Sequence, residues 1–380
     1  MQKVIIVGAG IGGLGTAVAL HQAGIPVTVY EQAEAIGQVG AGLTLWSNAL
    51  RVLRRLGLAE AVIEAGAVIE EAQIRQANGR ILSRSYPGQL AQQLGEPTVA
   101  IHRADLHRIL LAALPPDVVQ LGAACTGFSQ DEQQVTVTFA DGRSAQADCL
   151  IGADGLNSVI RQQIAPQAKT RYAGYTAWRG VAAVESRVAR GQTFEAWGHG
   201  ARFGVVPLSN QLVYWFATAN IPPGQRQEAN SRKETLLRQF KGWHDPIPHL
   251  LQTTPAEAIL NHDLYDVPPF TGWSRGRVTL LGDAAHPTTP NLGQGACMAI
   301  ESAYILADCL KEHASLAEAL RAYEAQRRPR TAVITQQSWQ IGRIAQWQNR
   351  FACWLRDGLL NAAPDHLLQK RLVQTTNFMI

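Results

Sequence analysis

With 380 residues, 46% of them hydrophobic, the chain is long enough for a full core and for one large or two ordinary domains. Its formal charge of +4 is small for that length, and the basic residues are scattered without an aromatic-laced run, which argues against a nucleic-acid partner. Five cysteines, Cys125, Cys149, Cys297, Cys309 and Cys353, are odd in number and lack zinc or redox spacing, so they read as buried thiols of a reducing compartment. In chain order, "KVIIVGAGIGGLGTAVALHQAGIPVTVYEQ" gives an apolar strand, a glycine turn, a helix and a second strand ending at Glu31, which is a βαβ unit. That opening is already folded-domain sequence, so no signal peptide is expected, and no apolar run reaches bilayer-spanning length. "SNALRVLRRLGLAEAVIEAG" has a helical period, "EEAQIRQANGRILSRSY" predicts a hairpin turning at Asn78-Gly79, and a helix opens near Arg103. Strands return in "QQVTVTFADGRSAQADCLIGADG", with a turn at Asp141-Gly142.

From about 170 to 270 the chain alternates aromatic and polar residues, as in "YTAWRGVAAV", "QTFEAWG", "ARFGVVPL" and "QLVYWFATA", the pattern of an antiparallel sheet with one covered face. The helix "SRKETLLRQFKGW" interrupts it. Nucleotide-binding texture resumes at Arg277, where a strand ends on Gly282-Asp283 and a Pro/Gly loop leads to a helix after Gly293. The predicted fold class is therefore α/β: a Rossmann-like domain in two noncontiguous pieces, an inserted antiparallel-sheet substrate domain, and a helical C-terminal tail.

Gly8, Gly10 and Gly13, with Gly12 between them, form a GxGxxG turn between strand and helix, and Glu31 ends the next strand. Such a turn needs glycine for tightness, for close approach to a pyrophosphate and for helix-strand packing, while the acid bonds a ribose hydroxyl. An acid at that place favours FAD or NAD over NADP. A second stretch, "CLIGADGLNSVIR", brings another strand to Asp154-Gly155, and a third, "GDAAHPTTPNLGQG", carries Asp283, Pro290, Gly293, Gly295 and then Ala296. The helix turn at Gly293 to Ala296 can aim unpaired N–H groups at an electron-rich ligand edge. Asp283 and His286 suggest a metal pair, but no third ligand has suitable spacing, so no metal is expected.

The three stretches, in this order and at these intervals, resemble the group A (single-component) FAD-dependent monooxygenases of aromatic hydroxylase type, nearest their urate hydroxylase and zeaxanthin epoxidase-like branches. The resemblance spans nearly the whole chain. It implies non-covalent FAD, with the first motif on the ADP half, Asp154 serving FAD and a visiting nicotinamide cofactor, and Asp283 on the ribityl chain. Arg103 matches a FAD-contacting arginine, His286 a structural histidine, and Cys125 and Gly42 join the expected cofactor contacts. Gly40 to Leu43 would pass near the flavin. One departure is Glu301-Ser302, where the family usually has Glu-Asp. The implied domains are 1–170 with 271–330 for FAD, 171–270 for substrate, and 331–380 as helices packing on the FAD domain.

Arg202 and Tyr214 match substrate-contacting positions of the urate-hydroxylating branch and are the expected catalytic pair, with Trp46 as a wall of the pocket. A structural arginine and a packed sheet tyrosine are the alternative readings of the two. The implied reaction consumes NADH or NADPH and O2 and places one oxygen atom, by way of a hydroperoxide at flavin carbon 4a, on an aromatic or electron-rich small molecule. A flavin-dependent reductase of an isoprenoid-like substrate on the same scaffold is the alternative, and a flavin-binding partner or sensor without turnover is a third. The remaining expectations are a cytoplasmic monomer or homodimer with no nucleic-acid partner. The apolar residues Trp347, Phe351, Trp354, Leu359 and Leu360 are expected to pack on the FAD domain rather than to touch a membrane or second subunit.

Overall fold

The computed structural model describes residues 3–37, 41–183, 188–225 and 227–378, without the side chains of 365–368 and 371; Gly40 lies outside these. Strand Val4–Val7, helix Ile11–Gln22 and strand Val27–Tyr30 form the predicted βαβ unit. Val4–Val7 is the centre of a six-stranded sheet, with Val27–Tyr30 and Val119–Gln120 on one side and Cys149–Gly152, Val278–Leu280 and Ser274–Arg275 on the other. The pairings are parallel except for the last hairpin. Helices cover the sheet, which is why its strands read as unbroken apolar runs. Val4, Ile5 and Ile6 are fully buried, each contributing roughly 1.5–3 kcal/mol of transfer free energy. The sequence pieces before 170 and after 271 thus meet strand to strand, with Leu150 opposite Val278.

The predicted turns fall at glycines in the left-handed region. Gly79 (φ +92°) closes the hairpin Glu71–Gln76/Ile81–Ser85, and Gly142 (φ +84°) closes the turn between Val135–Phe139 and Ser144–Ala147. Gly57 (φ +70°) divides the helical stretch after residue 46 into Ser47–Arg55 and Ala59–Ala65. The predicted helix near Arg103 runs Arg103–Ala112, where the His102 ring nitrogen accepts the Ala104 N–H.

The aromatic region builds a seven-stranded sheet in the order Leu260–Asp266, Arg171–Ala183, Leu212–Ala219, Ala201–Pro207, Gln192–Trp197, Glu71–Gln76, Ile81–Ser85. The hairpin from residues 71–85 therefore joins this sheet, through a parallel pairing of Glu71–Gln76 with Gln192–Trp197, although it lies outside the 171–270 segment. One face buries Phe203, Trp215, Phe240 and Leu250 under the helices Ala229–Gln239 and Ile247–Thr253. The other supplies Gln73, Thr193, Glu195 and Phe216 to the wall of a cavity.

The boundary expected at 330/331 falls inside one helix, Leu316–Ala345, which runs through Pro329. The next helix, Arg350–Ala362, packs on strand Ile81–Ser85 of the seven-stranded sheet rather than on the FAD side. Its Phe351, Trp354 and Leu359 side chains are exposed and pack on neither sheet. Among the described residues no helix is long and apolar enough to cross a membrane.

Candidate functional site

The first turn is shaped by what glycine leaves out. Gly8 takes φ +103°, and a Cβ there would lie 2.4 Å from the Ala153 carbonyl oxygen. At Gly13 a Cβ would lie 1.9 Å from the Gly8 carbonyl oxygen, and at Gly12 it would lie 2.9 Å from Leu281 and 3.3 Å from Ala299. These glycines let the first turn touch the second and third motifs at backbone distance. Gly10 differs: its φ of −67° suits any residue, and nothing stands within 4 Å of a Cβ there. The open face is where a ligand's pyrophosphate can reach the N-terminus of helix Ile11–Gln22, which has no side-chain cap. Glu31 flanks that face and accepts the N–H groups of Ala9 (2.7 Å) and Ala33 (3.0 Å).

Asp154 ends strand Cys149–Gly152 by a short turn and accepts the Ile160 N–H at 3.2 Å. Burial raises its carboxyl above the usual range, opposed by neighbouring donors. Cys125 sits beside it, half-buried, its thiol pushed up to about 11 by burial. Arg161, on the helix after Asp154, donates to the carbonyls of Asp283 (3.3 Å), Ala284 (3.1 Å) and Leu156, so the second motif holds the backbone of the third. Asp283 occupies the 3-10 turn Gly282–Ala284. Its side chain reaches the surface of the groove, yet the surrounding protein raises its carboxyl, and the Arg103 and Arg161 cations pull the other way. Arg103, exposed at the start of its own helix, is thereby brought to Asp283 as well.

The third motif continues through the turn Pro290–Leu292, Gly293 (φ +61°) and helix Gly295–Glu312. Gly295 and Ala296 are its first two helical residues, whose N–H groups have no partner inside the helix. Around this end, Trp46 Nε1, Ser47 Oγ, Asn48 Oδ1 and Gln294 Nε2 are buried without a hydrogen-bond partner, a polar set that a ligand edge can satisfy. Gly42 is nearby in strand Gly42–Leu45; a Cβ there would fall 2.6 Å from Tyr214 Cβ, so glycine lets the tyrosine lie flat on the strand.

A cavity of about 1050 Å³ lies between the seven-stranded sheet, the Pro290–Gln294 turn and helix Leu316–Ala345, with Trp46, Phe216, Glu195, Asn291, Gln337 and Ile341 in its wall. The two residues expected to touch substrate stand a layer behind it. Arg202 is buried and fully engaged: its guanidinium donates to Glu195 Oε1 (2.9 Å), Asn291 Oδ1 (2.8 Å) and Gln346 Oε1 (3.0 Å). It holds two residues of the cavity wall in place and presents no free charge to the cavity. Tyr214 is buried against Ala41, Val206 and Gly42, and burial raises its phenol above the ordinary range while Arg179 opposes the rise. The cavity's other cation, Arg330, is held by both oxygens of Glu301 at 2.8 and 2.7 Å.

Sequence reading missed Glu195 and Asn291, and named Glu301 only in the Glu301-Ser302 departure. The signal for Glu195 was present, a lone carboxylate in the aromatic strand Gln192–Trp197 that needs a partner when half-buried. Glu301 is buried at the centre of an ion cluster with Arg327 (2.6 Å), Arg330 and the Asn48 amide (2.6 Å). Ser302, at the place of the family's aspartate, bonds His286 Nε2 (3.0 Å) and Arg327 (3.1 Å). Burial and the Arg327 charge push His286 down to about 3, so its ring is neutral. Among the described residues no group of three or more His, Cys, Asp or Glu side chains could hold a metal.

Three glycine-bearing turns from distant parts of an α/β chain, converging on one groove beside a walled cavity, define a nucleotide-cofactor enzyme of the flavoprotein class. The chain matches the FAD binding domain family over residues 1–338 and belongs to it. It is 43% identical over 375 residues to the aurachin C monooxygenase/isomerase of Stigmatella aurantiaca, covering 99% of this chain and 98% of that protein. Identity is 36% over 331 residues with the FAD-dependent urate hydroxylase of Klebsiella pneumoniae, covering 86% of each chain. The crystal structure of Klebsiella pneumoniae HpxO complexed with FAD and uric acid superimposes with a TM-score of 0.93 at 32% identity, over 99% of this chain and 96% of that one. The chain is thus a member of the single-component FAD aromatic hydroxylases, and its cofactor is FAD. The residues present fit that cofactor: a cradle open only at Gly10, a capless helix end beside it, and orphaned polar atoms at the Gly293 end.

Proposed function

We propose that this flavin monooxygenase takes electrons from NADH or NADPH and inserts one oxygen atom of O2 into an aromatic or electron-rich ring that carries an N–H or O–H donor. FAD, when bound, supplies the electron transfer and the activation of oxygen. The protein's part is to hold the ring in place, exclude water and orient hydrogen-bonding groups.

One observation carries the substrate class: Glu195, in the cavity wall, accepts Arg202 and Trp197 on Oε1, while its Oε2 has no hydrogen bond from the described residues. A donor group on the ring satisfies that oxygen, with the amides of Gln337 and Gln340 offering further polar contacts. Arg202 acts as a positioning residue through Glu195 and Asn291. Tyr214 packs on Gly42 and so sets the path of the strand beside the cofactor. Asp283, Arg103 and Asp154 hold the cofactor between the first and third turns, and Gly8, Gly10, Gly12, Gly13 and Glu31 its ADP half. Pro290, Gly293, Gly295 and Ala296 approach its ring.

The oxygenase reading is preferred to the isoprenoid reductase because the relatives similar along the chain's length are monooxygenases and hydroxylases. The test is oxygen uptake alongside NADH and NADPH oxidation by the FAD-loaded protein, across neutral heteroaromatics, phenols, aromatic acids and isoprenoids. Donor-bearing rings should stimulate uptake and yield oxygenated product. Stimulated oxidation that persists without oxygen and gives a saturated product would transfer the assignment to the reductase.

A further inference from the structure

Helix Arg350–Ala362 has two unlike faces. Its inner face is fixed: Cys353 and Arg356 are buried, and Arg356 donates to the carbonyls of Ala345 (3.1 Å) and Gly198 (3.3 Å) and covers the Trp197 ring at 5.2 Å. Asn349 caps its first turn by accepting the Ala352 N–H at 3.0 Å. Its outer face carries Phe351 (70% exposed), Trp354 (69%), Leu355 (45%) and Leu359 (64%), spaced i, i+3, i+4 and i+8, and the first two rings stack at 5.7 Å. An apolar stripe held outward by a buried arginine is a built surface. Of the eight large hydrophobic side chains that are exposed among the described residues, seven fall between Val333 and Leu359. Such concentration marks an interaction site rather than scatter.

The charge left unpaired in the neighbouring stretch of chain has one sign. Between residues 325 and 364 there are six arginines and a single acid, Asp357; Arg327 and Arg330 are paired with Glu301 and Arg356 with Asp357, which leaves Arg328, Arg343 and Arg350. Arg343 and Arg350 are exposed and, among the described residues, make no ion pair. Trp, Phe and Leu on one helix face with arginines beside them is the composition of a helix that lies in the headgroup layer of an anionic membrane. A two-fold contact between copies would instead bring like-charged arginines together with no acid to meet them.

We propose that this face docks the enzyme on an anionic lipid surface, with the ring pair Phe351 and Trp354 inserted and Arg343 and Arg350 at the headgroups. Ile344 belongs both to this exposed apolar series and to the cavity wall, so the docked side is continuous with the cavity mouth along the chain. Membrane capture is independent of which ring the enzyme oxidises.

Flotation of the full-length, FAD-loaded protein with vesicles of phosphatidylcholine alone, or with phosphatidylglycerol added, tests this directly. Binding is expected to the anionic vesicles, to weaken in high salt, and to disappear in Phe351→Ser/Trp354→Ser. Arg343→Gln/Arg350→Gln should weaken it roughly 25-fold, taking about fivefold for each cation near the surface. Flavin content and melting temperature serve as fold controls, and the lipid and salt comparisons on the wild-type protein need no variant. No flotation, equal flotation with neutral and anionic vesicles, or a dimer in light scattering that the serine pair dissolves would each overturn the proposal.

Discussion

Substituting alanine at two neighbouring glycines separates cofactor binding from folding. At Gly13 the added methyl would sit 1.9 Å from the Gly8 carbonyl oxygen and 3.1 Å from its carbon, so backbone must move. Overpacking of this kind costs about 1–3 kcal/mol, only partly offset by the roughly 1 kcal/mol that alanine gains over glycine inside a helix. Gly13→Ala should therefore be less stable without any ligand, by up to about 2 kcal/mol. At Gly10 the methyl meets nothing within 4 Å and the backbone angles are ordinary. There the loss of a tolerable N-cap and the reduced entropy of the unfolded chain, each within about 1 kcal/mol, nearly cancel. The methyl stands where the pyrophosphate must come closest. Losing two charge-assisted N–H bonds at about 1.5–2 kcal/mol each would weaken FAD binding roughly 100- to 1000-fold. Thermal melts of the two flavin-free variants and FAD titrations followed by flavin fluorescence measure both quantities. If Gly10→Ala binds FAD as tightly as the wild type, the pyrophosphate does not lie on this turn; if Gly13→Ala melts like the wild type, the packing argument fails.

Asp283→Ala should lose flavin or flavin reactivity with the fold intact, checked by absorbance against far-UV circular dichroism; full flavin content with full turnover refutes the assignment. Arg202→Ala frees Glu195, Asn291 and Gln346, and should cut product formed per NAD(P)H oxidised while leaving FAD affinity near wild type; loss of both together contradicts a positioning role. Glu195→Gln keeps a partner for Arg202 but removes the charge, and should raise KM for neutral donor substrates about tenfold, the worth of one charged hydrogen bond, while anionic analogues improve. His286 has its proton affinity lowered to about 3 in the folded chain, so the unfolded chain binds the extra proton first as pH falls. Its effect on stability is nil above about 6.5 and grows more unfavourable from there down to about 3. His286→Gln should flatten the acid side of the stability curve in that window, measured by urea denaturation, and an unchanged slope would sink the reading.

The Rossmann-like unit, the three turns and the hairpin glycines were legible because each depends on local chemistry: apolar runs for parallel strands, and glycine where φ is positive or backbone approaches backbone. Val4–Val7 and Gly8 are examples. The membership of the Glu71–Gln76 hairpin in the distant sheet was not legible, since its parallel partner Gln192–Trp197 lies more than a hundred residues on and strand pairing leaves no local mark. For Arg202 the sequence left two roles open, a substrate contact and a structural arginine. Whether a guanidinium faces substrate or its own carboxylate depends on Glu195 and Gln346, which only the folded chain brings to it. The apolar residues of helix Arg350–Ala362 were expected to pack inward, but composition alone does not say which side of a helix meets the protein; the buried Arg356 decides that.

The way Gly8 abuts Ala153, Gly12 abuts Leu281 and Arg161 grips the Asp283 carbonyl also sets a timetable. Strand Val4–Val7 needs Cys149–Gly152 beside it, which in turn needs Val278–Leu280. At about 5–20 residues per second of synthesis, the last of these leaves the ribosome roughly 15–60 s after the first. During that interval the nucleotide turn is a glycine loop without its walls. Flavin retention is then a marker of completed assembly: nascent chains stalled before the third strand should emerge colourless, and the yellow of a preparation counts the molecules in which all three distant pieces have met.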